Sequence, residues 1–480
     1  MIELSLGEVA AATAGRLDCV ARAAERVTGP VVVDSRRAAP GALFVALPGE
    51  RADGHDYAAA AVAAGAVAVL AARPVRHPAV VVDDVLVALG RLTRYVADQL
   101  TEVIVVGVTG SSGKTSTKDL LAHLLAGRGA TVAPPGSYNN EIGVPLTVLR
   151  ADRSTAHLVL EMGARGAGHI AALCALAPPH IGVVLNVGTA HLGEFGSREA
   201  VARAKGELVE VLPPEGLAVL NADDPLVAAM ASRTSARVAT FTIEGSVEGS
   251  VKGSVEGSAD VAARAVSLDP RGRPSFVLVA ASGEAAVHLP LYGTHHVPNA
   301  LAAACVAGEL GMPVADVAAA LSQAVPASRW RMEVAERADG VTVVNDAYNA
   351  NPDSVAAALE ALVAMAGGRR TWAVLGEMRE LGAASANEHE AVGRLAVRLG
   401  VSRLVAVGTE AARVHAAATQ EGSTVESATV PDADAALALL RDELCPGDVV
   451  LVKASRAAGL ERVGEALLAT HRPPVSEGLS

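Results

Sequence analysis

The sequence predicts an α/β protein of three domains, and three observations carry that expectation. Short runs rich in Val, Ile and Leu alternate with Ala-rich helical patterns along nearly the whole chain, as βα units do. Polar clusters fall again and again just past the ends of those runs, where ligands sit in open parallel sheets. The length, 480 residues, suits about three domains.

Residues 1–100 form the first expected domain. Strand-like runs stand at 31–33, 43–47, 66–70 and 80–82, with helical patterns at 57–64 and 86–98. Two polar clusters interrupt them, Asp34-Ser35-Arg36 and the stretch G-E-R-A-D-G-H at 49–55. Ser35 and Arg36 at a strand end suit a phosphate or pyrophosphate, although ordinary loops read the same way.

The second domain, 101–327, opens on V-I-V-V-G-V-T-G-S-S-G-K-T-S-T at 103–117. A β-branched run gives way to glycines and small hydroxyl residues, then to a helical pattern through Leu120, Leu121, Leu124 and Leu125. Strand, glycine loop and helix are the context of a phosphate-binding loop: its N–H groups wrap phosphate oxygens and the helix offers its positive end. On this reading Thr109, Gly110, Ser111, Ser112, Gly113, Lys114, Thr115 and Ser116 bind ATP. Lys114 would reach the β/γ-phosphates and the Thr115 hydroxyl would face Mg²⁺. Val108 occupies the place of the usual first glycine.

Further strands are expected at 157–160, 181–185 and 217–220. The first two end in Glu161-Met162-Gly163 and in Asn186–His191. Lys114, Thr115, Glu161 and His191 therefore all follow strand ends and are able to converge. An oxygen ligand beside the loop favours Glu161 as a metal ligand, whereas His is unusual on Mg²⁺. A helix at 197–212 carries an apolar stripe with Lys205 at its border, where lysine ordinarily reaches out to solvent. The period-four Gly-Ser repeat at 244–258 buries nothing and reads as a surface insertion. Strand-like 275–279 and 286–289 lead to G-T-H-H-V-P-N-A at 293–300 and an Ala-rich helix. The third domain, 328–480, is a second doubly wound unit with strands at 341–344, 372–375, 403–407 and 448–452 and a disordered tail from 472.

Composition narrows the partners. Lys plus Arg number 40 against 52 Asp plus Glu, a net charge of −12, and aromatics are 2%. That balance disfavours a nucleic-acid backbone and base stacking, and equally an anionic membrane surface. Four scattered cysteines suggest neither a zinc site nor a disulfide framework. Without a basic, apolar leader or an apolar span, the expectation is a soluble, cytoplasmic chain, read as a monomer.

The motifs, taken in order, resemble the Mur ligases of peptidoglycan synthesis over essentially the whole length. D-S-R at 34–36 and F-V-A-L-P-G-E-R-A-D-G-H-D at 44–56 look like that family's N-terminal UDP-sugar domain. V-T-G-S-S-G-K-T-S-T looks like its phosphate loop, which accounts for Val108. N-N-E-I-G-V-P-L-T, E-M-G-A, N-V-G-T-A-H-L-G-E-F-G-S and A-K-G-E resemble its central domain. N-D-A-Y-N-A-N-P-D-S, L-G-E-M-R-E-L-G and V-K-A-S-R-A-A-G-L-E resemble its C-terminal Rossmann-like domain. The strings Y-N-A-N-P and N-N-E-I-G point to the branch that joins D-alanyl-D-alanine to UDP-N-acetylmuramoyl-tripeptide.

The resemblance implies roles that spacing leaves open. Thr115 and Glu161 would hold one Mg²⁺; His191 and Lys205, the latter as a carbamate, would hold a second. Asn299 would contact adenine, and Arg331 and Asp346 the nucleotide from the third domain. Lys114, Lys205, His191 and Arg331 would be catalytic. Asn139 and Asn140 would face the muramoyl-peptide, Ser35 and Arg36 its uridine diphosphate, with Lys453, Ser455 and Arg456 near phosphates or peptide. His296 stands where the family often has Asn, and Trp330 where Gly is frequent. A sibling ligase that adds another acceptor and a non-catalytic ATP-gated scaffold remain the alternatives.

Overall fold

Four sheets organise the computed structural model, which describes residues 1–19, 22–49, 52–188, 192–244, 259–421 and 425–469. His191, the repeat beyond Glu244 and the tail from 472 lie outside those residues. The first large sheet has five strands in the order Arg16–Asp18, Ala79–Val81, Ala68–Ala71, Leu43–Val45, Val31–Val32. A two-stranded ribbon, Leu4–Ser5 with Arg26–Val27, stands beside it.

The nine-stranded central sheet is parallel where the site lies. Ile104–Thr109 is the third strand from its parallel edge, with His157–Glu161 on one side and Ile181–Val184 on the other. These strands are buried on both faces, which is why they read as unbroken apolar runs rather than alternating ones. The register sets Glu161 opposite Val108 and Val184 opposite Thr109, so both neighbours end level with the glycine loop.

One edge departs from the parallel pattern. Val261–Leu268, Pro274–Ala280 and Gly283–His288 form an antiparallel meander. The linking segments of a few residues are too short for the crossover that parallel neighbours need. Burial alternates along Pro274–Ala280, as expected of a sheet with one wet face.

The third sheet has six strands, ordered Glu333–Glu336, Thr342–Asn345, Val449–Lys453, Thr371–Leu375, Arg403–Val407, Glu426–Val430. All its pairings are parallel except that of Glu333–Glu336. Both edge strands escape a sequence reading because they are polar and only partly buried.

Packing does not break at residue 100. The helix Val85–Ala97, N-capped by Asp84, places Leu89, Leu92 and Val96 in one core cluster with Val144, Val148, Leu158 and Ile170 of the central unit. On the opposite face of the central sheet, His296–Glu309 is apolar nearly all round, which makes it a core helix. Its alanines let it lie close to Lys114–Ala126, the helix that follows the glycine loop. Among the described residues, no helix is long and apolar enough to cross a membrane.

Candidate active site

A cavity of about 980 Å³ opens where the central strands end, and residues of the third sheet close its far wall. Its floor is the loop Ser111–Ser116. The loop is held from behind: Ser112 N–H donates to Asn186 Oδ1 at 3.0 Å, and Gly188 N–H donates to Ser111 Oγ at 2.9 Å. Lys114 folds back so that its ammonium donates to the Gly110 carbonyl at 2.6 Å. Burial pushes the Lys114 pKa below its ordinary value, against the pull of Glu161.

Gly113 caps the helix with φ of 80°, and the Asn299 side chain fills the space a Cβ would take. Gly113→Ala therefore meets both a left-handed backbone, costing about 1–2 kcal/mol, and a collision with Asn299. We expect ATP affinity to fall about tenfold or more, with calorimetric titration as the check.

The densest polar knot is built on Glu161, which is 1% exposed. Thr115 Oγ1 donates to its Oε2 at 2.9 Å, while Ser137 Oγ and Asn139 Nδ2 donate to its Oε1 at 2.6 and 2.8 Å. Strand end, loop helix and the 137–140 string thus meet at one carboxylate. Asn140 turns the other way: its Oδ1 accepts from Gly143 N–H at 2.9 Å, at the first residue of the helix Gly143–Val148. It still borders the cavity.

Lys205 does not reach out to solvent, as a stripe-border lysine ordinarily would. It lies on Arg198–Glu210 beside Val201, Ala204 and Leu208, is 3% exposed, and lines the cavity. Its amine makes no hydrogen bond among the described residues. Burial drives its pKa well down, and the nearby Lys114 adds to the effect. The pattern missed this because periodicity shows which face a residue occupies, not what covers that face.

The third sheet contributes a cation. Arg331 Nη2 lies 3.4 Å from Thr115 Oγ1, its guanidinium stacks 4.3 Å over the Tyr348 ring, and its buried Nε has no hydrogen-bond partner among the described residues. Trp330 and Met332 on either side have φ of 56° and 48°. Such conformations cost on the order of 1–3 kcal/mol each and persist only where the surroundings enforce them. Asp346 accepts from Met332 N–H at 3.1 Å and from Lys453 Nζ at 2.5 Å, so both its oxygens are engaged in holding this segment. Burial lowers the Lys453 pKa against the pull of Asp346.

Several expected residues stand apart. Thr109 and Gly110 lie outside the cavity lining, with Thr109 Oγ1 buried and unpartnered among the described residues. Ser35 and Arg36 sit in a short turn outside it, and Arg36 pairs with Asp34 at 2.7 Å. Ser455 and Arg456 are also outside it: Ser455 Oγ accepts from Arg379 N–H at 2.9 Å, and Arg456 pairs with Glu461. His191 lies outside the described residues.

Residues not singled out also line the cavity, among them Ser137, Tyr348, Glu380 and His295. His296, set aside on sequence grounds, lines it too, with both ring nitrogens buried and unpartnered among the described residues. Burial lowers the His295 pKa to about 4. Arg37, next to the expected Arg36, donates to the Tyr138 hydroxyl at 3.3 Å and ties the first sheet to the 137–140 string. Tyr348 and Glu380 lie within N-D-A-Y-N-A-N-P-D-S and L-G-E-M-R-E-L-G, and Ser137 stands just before N-N-E-I-G, so those motifs were the signal available for them.

Fold and site together define a multi-sheet α/β protein with a phosphate loop on one sheet and its counter-cation on another. Three domain families match it: "Mur ligase family, catalytic domain" over residues 30–95, "Mur ligase middle domain" over 108–307 and "Mur ligase, glutamate ligase domain" over 330–456. The UDP-N-acetylmuramoyl-tripeptide–D-alanyl-D-alanine ligase of Mycobacterium tuberculosis is 53% identical, covering 98% of this chain and 98% of that protein. The Escherichia coli protein of the same name is 36% identical over 97% and 99% of the two chains. Among solved structures, MurF from Acinetobacter baumannii superposes with a TM-score of 0.83 at 31% identity, covering 97% of this chain and 99% of that one. MurF ligase from Thermotoga maritima in complex with ADP gives 0.76 at 31%, covering 92% and 98%. The chain belongs to the Mur ligase family.

Proposed function

We propose that this chain joins D-alanyl-D-alanine to UDP-N-acetylmuramoyl-tripeptide at the expense of ATP. The observation that carries the reading is the Thr115 hydroxyl: it donates to Glu161 and receives Arg331 from the third sheet. One atom thus joins the phosphate loop, a carboxylate able to bind a metal and a cation from the opposite wall. The names of the relatives supply the substrates.

The peptide's terminal carboxylate oxygen attacks the γ-phosphorus and ADP leaves, giving an acyl phosphate. The amine of D-alanyl-D-alanine then attacks the acyl carbon; phosphate departs, one proton is lost and the amide remains. Lys114 and Arg331 sit to hold phosphate oxygens as charge builds, so positioning and electrostatics do the work without a protein nucleophile. Loop backbone cradles the phosphates, Asn299 at the Gly113 contact faces the adenine, and Asp346 the ribose or phosphates. Asn139 and Asn140 face the muramoyl-peptide. Ser35 and Arg36 remain assigned to the uridine diphosphate.

An oxygen-only set of the Thr115 hydroxyl and the Glu161 carboxylate, with Ser137 and Asn139 beside it, fits Mg²⁺, which takes one or two carboxylates with substrate phosphates and water. His191 and Lys205, as its carbamate, would hold a second ion. Burial favours a neutral Lys205 amine, the form that adds CO₂ with loss of a proton. Bound Mg²⁺ neutralises charge on the transferring phosphoryl group. With the reading go domains of 1–100, 101–327 and 328–480, and a cytoplasmic monomer.

Phosphate release with ATP, UDP-N-acetylmuramoyl-tripeptide and D-alanyl-D-alanine tests the function, with mass detection of the pentapeptide product. Turnover that needs all three substrates is the expected result. Turnover with a different acceptor only would assign a sibling activity, and ATP binding without amide formation would assign a scaffold.

A further inference from the structure

We propose that Trp330 is a positioning residue that locks Arg331 to the third sheet, so that the guanidinium stays aimed at the phosphate loop. The inference rests on the reading of Arg331 given above. Both neighbours of Arg331 are held in the left-handed region, and this kink turns its side chain out of the third sheet toward Thr115.

Among the described residues, every partner of the Trp330 side chain belongs to the segment flanking Arg331 or to the stretch 456–465. Arg456 stacks on one part of the indole at 4.4 Å and Arg329 at 4.9 Å. The indole N–H donates to Glu465 Oε1 at 3.0 Å, and the same oxygen takes Arg329 at 2.6 Å. Arg456 is itself paired with Glu461, so the last helix, Glu461–Ala469, anchors both ends of the clamp. The Trp330 main chain is tied in as well: its N–H donates to Glu333 Oε2 at 3.1 Å, and its carbonyl accepts from Tyr348 N–H at 3.2 Å. Tyr348 is the residue whose ring lies under Arg331.

A bulky aromatic in a left-handed conformation is kept where its side chain enforces the backbone. Cation–π contacts on an indole, reinforced by a shared carboxylate, supply that enforcement. None of these groups touches the phosphate loop. The clamp therefore acts on the reaction only through the direction of Arg331.

The test compares kcat and KM of Trp330→Gly and Trp330→Phe, in the otherwise unchanged chain and in an Arg331→Lys background. Glycine accepts the positive φ but cannot make the clamp. Trp330→Gly is expected to lower kcat about tenfold, with KM for UDP-N-acetylmuramoyl-tripeptide unchanged and the melting temperature within about 4 °C. Trp330→Phe, which keeps the stack, should retain about half of kcat. In the Arg331→Lys background, Trp330→Gly should lower kcat by less than about threefold.

An unchanged kcat in Trp330→Gly overturns the proposal, as does a full tenfold loss that persists beside Arg331→Lys. A fully active Arg331→Lys chain would instead sink the assignment of Arg331, and the positioning role with it. Should Trp330→Gly fail to fold, Glu465→Gln weakens the clamp from outside and is expected to lower kcat in the same direction; no change there is equally decisive against it.

Discussion

Lys205→Ala is expected to reduce turnover by about 10³-fold, as loss of a group that organises transition-state charge does. The reason lies in how Lys205 is placed. A 3%-exposed lysine on an apolar stripe, with no hydrogen bond among the described residues, is an expensive way to fill a core. A carbamate would turn it into an acceptor suited to a cation. Truncation leaves room where that group stood, so millimolar formate or acetate should restore part of the activity in the variant and none in the unchanged chain. Steady-state phosphate release with and without added carboxylate reads both effects. Turnover that survives the substitution would sink the carbamate, whereas loss without recovery would leave Lys205 as a packing or charge element alone.

Lys114→Ala is expected to cost a comparable factor in turnover, about 10³-fold or some 4 kcal/mol in the barrier, while leaving stability intact or improved. The two outcomes separate because Lys114 is a half-buried ammonium whose hydrogen bonds go to its own loop. Burial lowers its pKa from the ordinary 10.5, so the unfolded chain holds this proton more tightly than the folded one. Below the folded pKa that mismatch is a full penalty on the folded state. The penalty fades as pH rises toward 10.5. Removing the lysine should therefore raise the denaturation midpoint near neutral pH and flatten the rise in stability toward alkaline pH. Chemical denaturation across pH checks it; a marked loss of stability at neutral pH would contradict this account.

Much of this was legible beforehand, for identifiable reasons. Glycine loops, strand-end carboxylates and buried parallel strands leave local marks, because each needs particular residue types at short spacing. Val103–Thr117 and Glu161 were visible in that way, as was the alternation that defines the fold class. The two polar edge strands of the third sheet were not, since a half-wet strand carries no strong pattern. The antiparallel edge of the central sheet was hidden too, because pairing direction follows from connection length and neighbours rather than from the strand's own residues.

The site divides along the same line. By itself the sequence determined the phosphate loop, its helix and the candidate set around them, because those depend on contiguous residues. Only the tertiary structure decided that Lys205 is buried, that Asp346 spends both oxygens on Met332 and Lys453, and that Arg36 lies outside the cavity. It also decided that Arg331, 216 residues beyond Thr115, comes within 3.4 Å of its hydroxyl. Such facts depend on how separate sheets pack against each other, and that information is spread over the whole core rather than written at any one position.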